Sequence, residues 1–288
     1  ARERYWDPQD GARPQPSGYF LERYDQFPAR QDSTDLPLVS VIVPTYNRPQ
    51  KLKKTLQSIA NQSYPAVEVV VINDAGDDVS SVIAHFEADL NIQHISLEEN
   101  GGAGAARNAG LRAASGQFIA FLDDDDTFHP THILALLTEL TARPDCAGVY
   151  SDAFQVDAQA PNAEALESRN VVYSFDYSPE RMLVHNYIPI LCLMIRRSTL
   201  DHAGLFDESL EAVEDWEWLI RVTGVGELVH LPFVTAQYAH ETEEKTRVDV
   251  VITGDFLLTM NAGYDQYSPG AVAVTGDVKE EPRAPTDV

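Results

Sequence analysis

Four short apolar runs limit what this chain can fold into: Val39–Val43, Val67–Ile72, Ile92–Ile95 and Phe118–Leu122. Each is short and rich in β-branched or aromatic residues, so each reads as a strand, the first, second and fourth of them buried. Between them the period changes. Pro49–Asn61 carries proline in its first turn and sets Leu52, Leu56, Ile59 and Ala60 on one helical face. Val79–Ala88 turns Val82, Ile83 and Phe86 inward, and Gly101–Ala114 is Gly/Ala-rich and helical in its later part. Strands alternating with helices imply a parallel sheet with right-handed crossovers. Polar clusters follow three of the runs, at Thr45–Arg48, Asn73–Asp78 and Asp123–Asp126. A parallel sheet brings all three to one edge, and in open α/β sheets ligands bind outside the carboxyl ends of the strands.

Beyond residue 122 the pattern is less regular. A helix is expected over Pro130–Leu140, a strand over Ala147–Tyr150, and a polar loop over 157–170. Val171–Phe175 and Leu191–Ile195 read as strands separated by a helix near Pro179–His185. Glu214–Val222 reads as a helix, Glu227–Leu231 as a strand, and Val248–Met260 as a final helix before a tail over 261–288. Residues 1–37 hold five prolines and the aromatics Tyr5, Trp6, Tyr19, Phe20, Tyr24 and Phe27 without a period, so an extension packed across a domain is expected there. The division is then an extension over 1–37, one α/β domain over 38–240, and a C-terminal helix and tail over 241–288.

The 288 residues carry a net charge of −24. That excludes the basic stripe of a nucleic-acid surface and simple attraction to anionic lipid. An anionic ligand must be held by local groups or by a metal. Cys146 and Cys192 lie in apolar surroundings and are expected as buried free thiols. No stretch reaches the roughly 18 apolar residues of a membrane span, and no signal peptide is visible. A cytoplasmic location is expected, with the inner face of the membrane as a place of work. The sequence starts at Ala1 without Met, which suggests processing or membership of a larger multi-domain protein.

Candidate chemistry clusters at the strand ends. Asp123–Asp126 follows the fourth run directly. Four carboxylates there repel one another unless they reach solvent or share a hard cation such as Mg²⁺ or Mn²⁺. Asp74 ends the second run; its carboxylate suits either a pyrimidine N–H or ordinary turn chemistry. Gly101-Gly102-Ala103-Gly104 precedes a helix, but Arg107 stands where a dinucleotide fingerprint needs glycine. The small residues suit either backbone approach to a phosphate or close helix–sheet packing. Arg107 suits either a diphosphate or the carboxylates of the aspartate run. Asp215 shares a helical face with Trp218, Leu219 and Val222, so it is expected to point inward and to suit a general base; Glu214 aligns instead with Trp218 and Arg221. His240, in Tyr-Ala-His-Glu, suits a structural role or a metal.

Taken in order over residues 38–240, SVIVPTYNR, VINDAGDD, ENGGAGAARNAG, GQFIAFLDDDD and VEDWEWLIR resemble the family 2 glycosyltransferases of GT-A fold. The resemblance implies a Rossmann-like α/β architecture, a mixed, mostly parallel central sheet flanked by helices. It implies a nucleotide-binding half over 38–126 and an acceptor-side half over 127–240. It also implies inverting, metal-dependent transfer from a nucleotide-diphosphate sugar, UDP-sugar first and dTDP-sugar second, with Mn²⁺ or Mg²⁺ as cofactor. The acceptor is a hydroxyl of a glycan or glycolipid, in surface polysaccharide synthesis. Position by position, Pro44, Thr45 and Tyr46 would line the base pocket with Arg48 near it, and Asp74 would accept from the base N–H. Arg107 would reach the nucleotide or its phosphates. The DxD motif falls on Asp123, Asp124 and Asp125, the first near the ribose and the last on the metal, and leaves Asp126 open among the metal, the donor sugar and the loop alone. Asp215 matches the base, and His240 matches a late histidine of the metal or diphosphate site. Ala75-Gly76 stands where Gly-Ser is commoner, with little effect expected. Two rivals are a metal-dependent nucleotidyltransferase, for which no basic glycine-rich loop follows the first strand, and a non-catalytic nucleotide-sugar or glycan-binding module of a larger polymerase.

Overall fold

The computed structural model describes residues 36–157, 170–172 and 175–240, with four two-residue strands between Val248 and Thr275. The first half is the alternation expected: β1 Val39–Thr45, α1 Pro49–Ala60, β2 Val67–Asn73, α2 Ser80–Ala84, β3 Asn91–Ser96, α3 Gly102–Ala113 and β4 Phe118–Phe121. Its strands pair in parallel in the order β3-β2-β1-β4. Val39, Val41 and Val43 point to one side of the sheet, with Leu52, Leu56 and Ile59 of α1. Ile42, Val70, Ile72 and Ile119 point to the other, with Leu111 of α3. Both faces are buried, which explains runs that are apolar at every position rather than alternating. The helix–sheet contact is closest at Gly110, where a Cβ would lie 2.5 Å from Ile42 and 2.7 Å from Ile72.

The second half adds β5 Thr127–Phe128, α4 His132–Ala142, β6 Gly148–Asp157, β7 Asn170–Val172, α5 Pro179–Met182, β8 Leu193–Arg196, α6 Leu200–Ala203, α7 Glu214–Thr223 and β9 Leu228–His240. These extend the sheet to nine strands in the order β3-β2-β1-β4-β8-β6-β9-β5, with β7 beside β6. β8 is antiparallel to both of its neighbours, and β5 is antiparallel to β9. The expected mixed α/β sheet flanked by helices is therefore present. Strands β6 and β9 run well past the expected Ala147–Tyr150 and Glu227–Leu231. Ser151 pairs with Leu231, Asp152 with Val234 and Ala153 with Ala236, so two irregularities of register take Pro232 out of the ladder. Proline is tolerated at such bulges, and the strand continues beyond it.

Some expectations fall outside the described residues: most of the extension over 1–37, most of the loop over 157–170, and most of the tail over 261–288. The helix expected over Val248–Met260 is corrected where it is described. Val248–Asp249 and Leu257–Leu258 lie in short antiparallel strand pairs, with Val274–Thr275 and Gln266–Tyr267. The segment is rich in valine, isoleucine and threonine and is interrupted by Gly254, a composition that favours strand over helix. Both cysteines are buried free thiols.

Candidate active site

The three polar clusters do meet at the carboxyl edge of β1, β2 and β4. The turns after β1 and β2 are tied together by the Asp77 N–H, which donates to Asn47 Oδ1 at 2.9 Å. Asn73 closes its own turn by accepting from Gly76 N and donating to Asp77 O. Asp74 is buried, and its two carboxylate oxygens accept from Gly101 N and Gly102 N, both at 2.8 Å. It therefore caps the start of α3, and the glycines let the backbone close over it. The N–H groups offered to a phosphate in the looser sequence reading are taken up by this carboxylate. Pro44 is half-buried, and Tyr46 is exposed at 47%.

The aspartate run splits its four side chains among different partners. Asp123 receives Arg107 Nη2 at 2.8 and 3.1 Å. Asp124 is buried, accepts from Thr45 Oγ1 at 2.7 Å and pairs with Arg48 at 3.2 Å. Burial pushes its carboxyl upward, while Thr45 and Arg48 work against that. Asp125 turns to Arg48 at 2.9 Å and Lys51 at 3.4 Å. Asp126 is 2% exposed and accepts the Ala239 N–H at 2.8 Å, which docks the end of β9 on the aspartate loop. His240 follows at the last position of that strand.

Arg107 is the hinge of the arrangement. Its Nη1 donates to Glu214 Oε1 at 2.6 Å, so one guanidinium joins the end of β4 to the start of α7. Gly104 makes room for this, since a Cβ there would lie 3.4 Å from the Glu214 side chain. Burial alone would disfavour the guanidinium charge, but Asp123, Glu214 and Asp215 together outweigh it and hold Arg107 protonated. Of the two readings of Arg107, the structure realises the pairing with carboxylates. Asp215 faces a cleft of about 230 Å³ lined by Asp123, Asp126, Asn186, Pro189, Ile190, Leu191 and Tyr238. Its carboxyl is raised chiefly by burial, with Arg107 opposing and Glu214 adding to the rise. Trp216, Trp218, Leu219 and Val222 are buried behind it. A partly desolvated carboxylate on a cleft wall is a group that general-base chemistry can use.

The structure thus brings Asp123 and Asp215 into one cleft, and sets Thr45, Arg48, Asp124 and Asp125 in a network beside it. Three residues were not singled out in the sequence. Lys51 lies one helical turn after Arg48, a spacing the sequence does show. Asn186 and Tyr238 bear no spacing relation to the motifs. Asp123 and Asp126 offer hard oxygen donors to the cleft, and burial together with the Asp123 charge pushes the Asp126 carboxyl well above its ordinary range. A divalent cation would offset that repulsion, so the donor chemistry fits Mg²⁺ or Mn²⁺. Among the described residues, no three acidic, histidine or cysteine side chains already converge as a metal cage.

Residues 40–203 match the family model described as glycosyl transferase family 2. An uncharacterized glycosyltransferase of Bacillus subtilis, YwdF, is 34% identical over 203 residues, covering 70% of this chain and 74% of its own length. An uncharacterized glycosyltransferase of Rickettsia prowazekii is 26% identical over 243 residues, covering 81% and 71%. Among solved structures, S. aureus TarS 1–349 in complex with UDP-GlcNAc superposes with a TM-score of 0.60 at 22% identity, over 72% of this chain and 60% of that one. The mannosyltransferase PcManGT of Pyrobaculum calidifontis, in complex with GDP-Man and Mn²⁺, gives 0.57 at 22%, over 77% and 63%. The chain accordingly spans less than two thirds of either solved structure, and at these identities they speak to the fold alone. A sheet edge that gathers three polar loops, an acidic cleft and a match over most of the domain lead to one conclusion: the chain belongs to glycosyltransferase family 2.

Proposed function

We propose that the acidic cleft and the loops around it hold a nucleotide-diphosphate sugar, a UDP-sugar first and a dTDP-sugar second. The sugar passes with inversion to a hydroxyl of a glycan or glycolipid in surface polysaccharide synthesis. The observation that carries this reading is that Asp215 and Asp123 face one cleft, fixed to each other through Arg107 and Glu214. Asp215 takes the proton of the acceptor hydroxyl as that oxygen bonds to the anomeric carbon, and the bond to the diphosphate breaks on the opposite side. Pro44, Thr45 and Tyr46 line the base, with Arg48 near it. Asp74 accepts from the base N–H with a lone pair beyond those taken by Gly101 and Gly102. Asp123 and Asp124 serve the ribose side.

Mn²⁺ or Mg²⁺ would be held by Asp125, which would give up its pairing with Arg48 and Lys51 for the cation, with Asp126 and Asp123 beside it and His240 at the end of β9. When bound, the cation supplies positive charge against the leaving diphosphate. Two neighbours in fold bound to nucleotide sugars, one of them with Mn²⁺, support this reading. TuaG of Bacillus subtilis, provisionally named for teichuronic acid biosynthesis and 41% identical over 92 residues, supports the polysaccharide context. A thermal-shift screen of UDP-, dTDP- and GDP-sugars, with Mn²⁺ and with EDTA, tests it. UDP-sugars with Mn²⁺ are expected to shift the melting point most, and Asp215→Asn to keep UDP binding while losing transfer. Normal transfer by that variant would remove Asp215 from its role, and UDP binding indifferent to EDTA would remove the metal.

A further inference from the structure

Asn186 stands on the cleft wall next to Asp215, in the turn between α5 and the Ile190–Cys192 turn that precedes β8. We infer that Asn186 is a positioning residue for Asp215, holding its carboxylate at the angle from which an acceptor hydroxyl is deprotonated. The inference rests on the reading of Asp215 as the base.

Three observations carry it. First, Asn186 Nδ2 donates to Asp215 Oδ2 at 3.3 Å, while the Trp216 N–H donates to Asp215 Oδ1 at 2.7 Å. Each carboxylate oxygen therefore has one donor from the protein, which sets the plane of the group and leaves its remaining lone pairs for a ligand. Second, Asn186 Oδ1 is buried without a hydrogen-bond partner. Turning the amide over would not relieve this, because the carbonyl oxygen would then face an acceptor-only carboxylate. An unmatched buried acceptor costs about 1–3 kcal/mol, and a residue present only for packing would be apolar, as Pro189, Ile190 and Leu191 are. The amide serves Asp215 at the expense of its own hydrogen bonding. Third, both partners rest on one rigid support. The Trp216 indole N–H donates to Met182 O at 2.7 Å, joining α5 to the residue after Asp215. The buried Tyr187, next to Asn186, bonds both the N–H and the carbonyl of Ser178 through its hydroxyl.

The test compares Asn186→Ala, Asn186→Asp and Asp215→Asn with the unaltered protein. The readouts are the melting point, the crystal structure of Asn186→Ala, and UDP release from UDP-GlcNAc, UDP-glucose and UDP-galactose with Mn²⁺. Asn186→Ala is expected to lower kcat about 10- to 100-fold, the range a misdirected catalytic group produces. Donor KM should stay within twofold, and the melting point should not fall, because the orphan acceptor is gone. Asn186→Asp keeps the shape but removes the N–H donor, and should lose at least as much kcat. In the crystal structure of Asn186→Ala the Asp215 carboxylate should leave its present orientation. That structure needs no substrate and decides the inference even where none of the three sugars turns over. An unmoved carboxylate, an unchanged kcat, or a melting point that falls together with kcat would overturn it. Asp215→Asn separates the two claims: a normal rate in that variant defeats the base reading, whereas a dead Asp215→Asn beside a fully active Asn186→Ala defeats only the role of Asn186.

Discussion

Arg107 Nη1 lies 2.6 Å from Glu214 Oε1, and through that contact the helix bearing Asp215 is bound to the strand end bearing Asp123. The Arg107 and Glu214 side chains are 5% and 12% exposed, so this pair works away from water. Removing one partner from a buried pair leaves the other charged and unmatched, which typically costs about 3–5 kcal/mol. Arg107→Met is therefore expected to destabilise the domain by about 3 kcal/mol, the low end because Asp123 reaches solvent. Urea unfolding measures it. Arg107→Met with Glu214→Gln should recover part of that loss, and equal stability of the single variant and the unaltered protein would show that the pair does not hold α7.

As the proposed base, Asp215 also sets an expectation for the pH dependence of turnover. Burial raises its folded-state pKa above its ordinary value, against the opposing pull of Arg107. A base works only when deprotonated, so turnover is expected to rise with pH through that raised value and to fall on the acid side of it. Arg107→Met removes the opposing charge, and the acid limb should move to still higher pH. Initial rates from about pH 3 to 8, a range that includes the ordinary carboxylate pKa, check both. An acid limb at the pKa of an ordinary exposed carboxylate would show that Asp215 is solvated in the working enzyme.

What could be read in the sequence depended on whether a residue's role was local. Asp123 was legible because it ends an apolar strand, and Asp215 because its helical face is apolar. Arg107 was legible only as two options, since whether a phosphate or carboxylates reach it depends on the packing of α3 against α7. Asp126 stayed open among the metal, the donor sugar and the loop because its partner, the Ala239 N–H, lies 113 residues away on a strand extension that Pro232 conceals. Asn186 and Asp215 lie 29 residues apart with no shared period. Close helix–sheet packing falls to Gly110, further along α3, whereas Gly101 and Gly102 close over Asp74.

Ala75 shows a departure from the family pattern that has a backbone consequence. It sits at φ 57°, in the left-handed region where a Cβ is disfavoured. Little effect was expected of alanine at this position, yet the turn after β2 asks for glycine. Ala75→Gly is expected to stabilise the domain by about 0.5–1 kcal/mol, because relief of the Cβ clash exceeds the added freedom of the unfolded chain. Val213, at φ 60° immediately before Glu214, is a β-branched residue in the same region and a second candidate. Urea unfolding of each variant tests this; a loss of stability on Ala75→Gly would mean that the alanine methyl makes contacts worth more than the strain.

His230 gives the domain a pH dependence of its own, separate from that of Asp215. Its Nε2 lies 2.8 Å from Asp152 Oδ1 and its Nδ1 3.0 Å from Asp176 Oδ1, both of which accept, so the two bonds together need the doubly protonated ring; it also stacks on Tyr150 with centroids 4.9 Å apart. Burial disfavours the imidazolium, but the hydrogen bonds and charges of Asp152 and Asp176 outweigh it and raise the pKa above the ordinary value. A raised folded-state pKa stabilises the fold fully at pH values below the unfolded value of about 6.5, and that contribution disappears as pH rises through the folded value. Asp176 is almost fully exposed, so its share is small. His230→Gln is thus expected to destabilise the domain at pH 6 by more than at pH 9. Urea midpoints at the two pH values give the comparison, and a difference that stays constant across pH would show that His230 is neutral throughout and contributes through packing on Tyr150 alone.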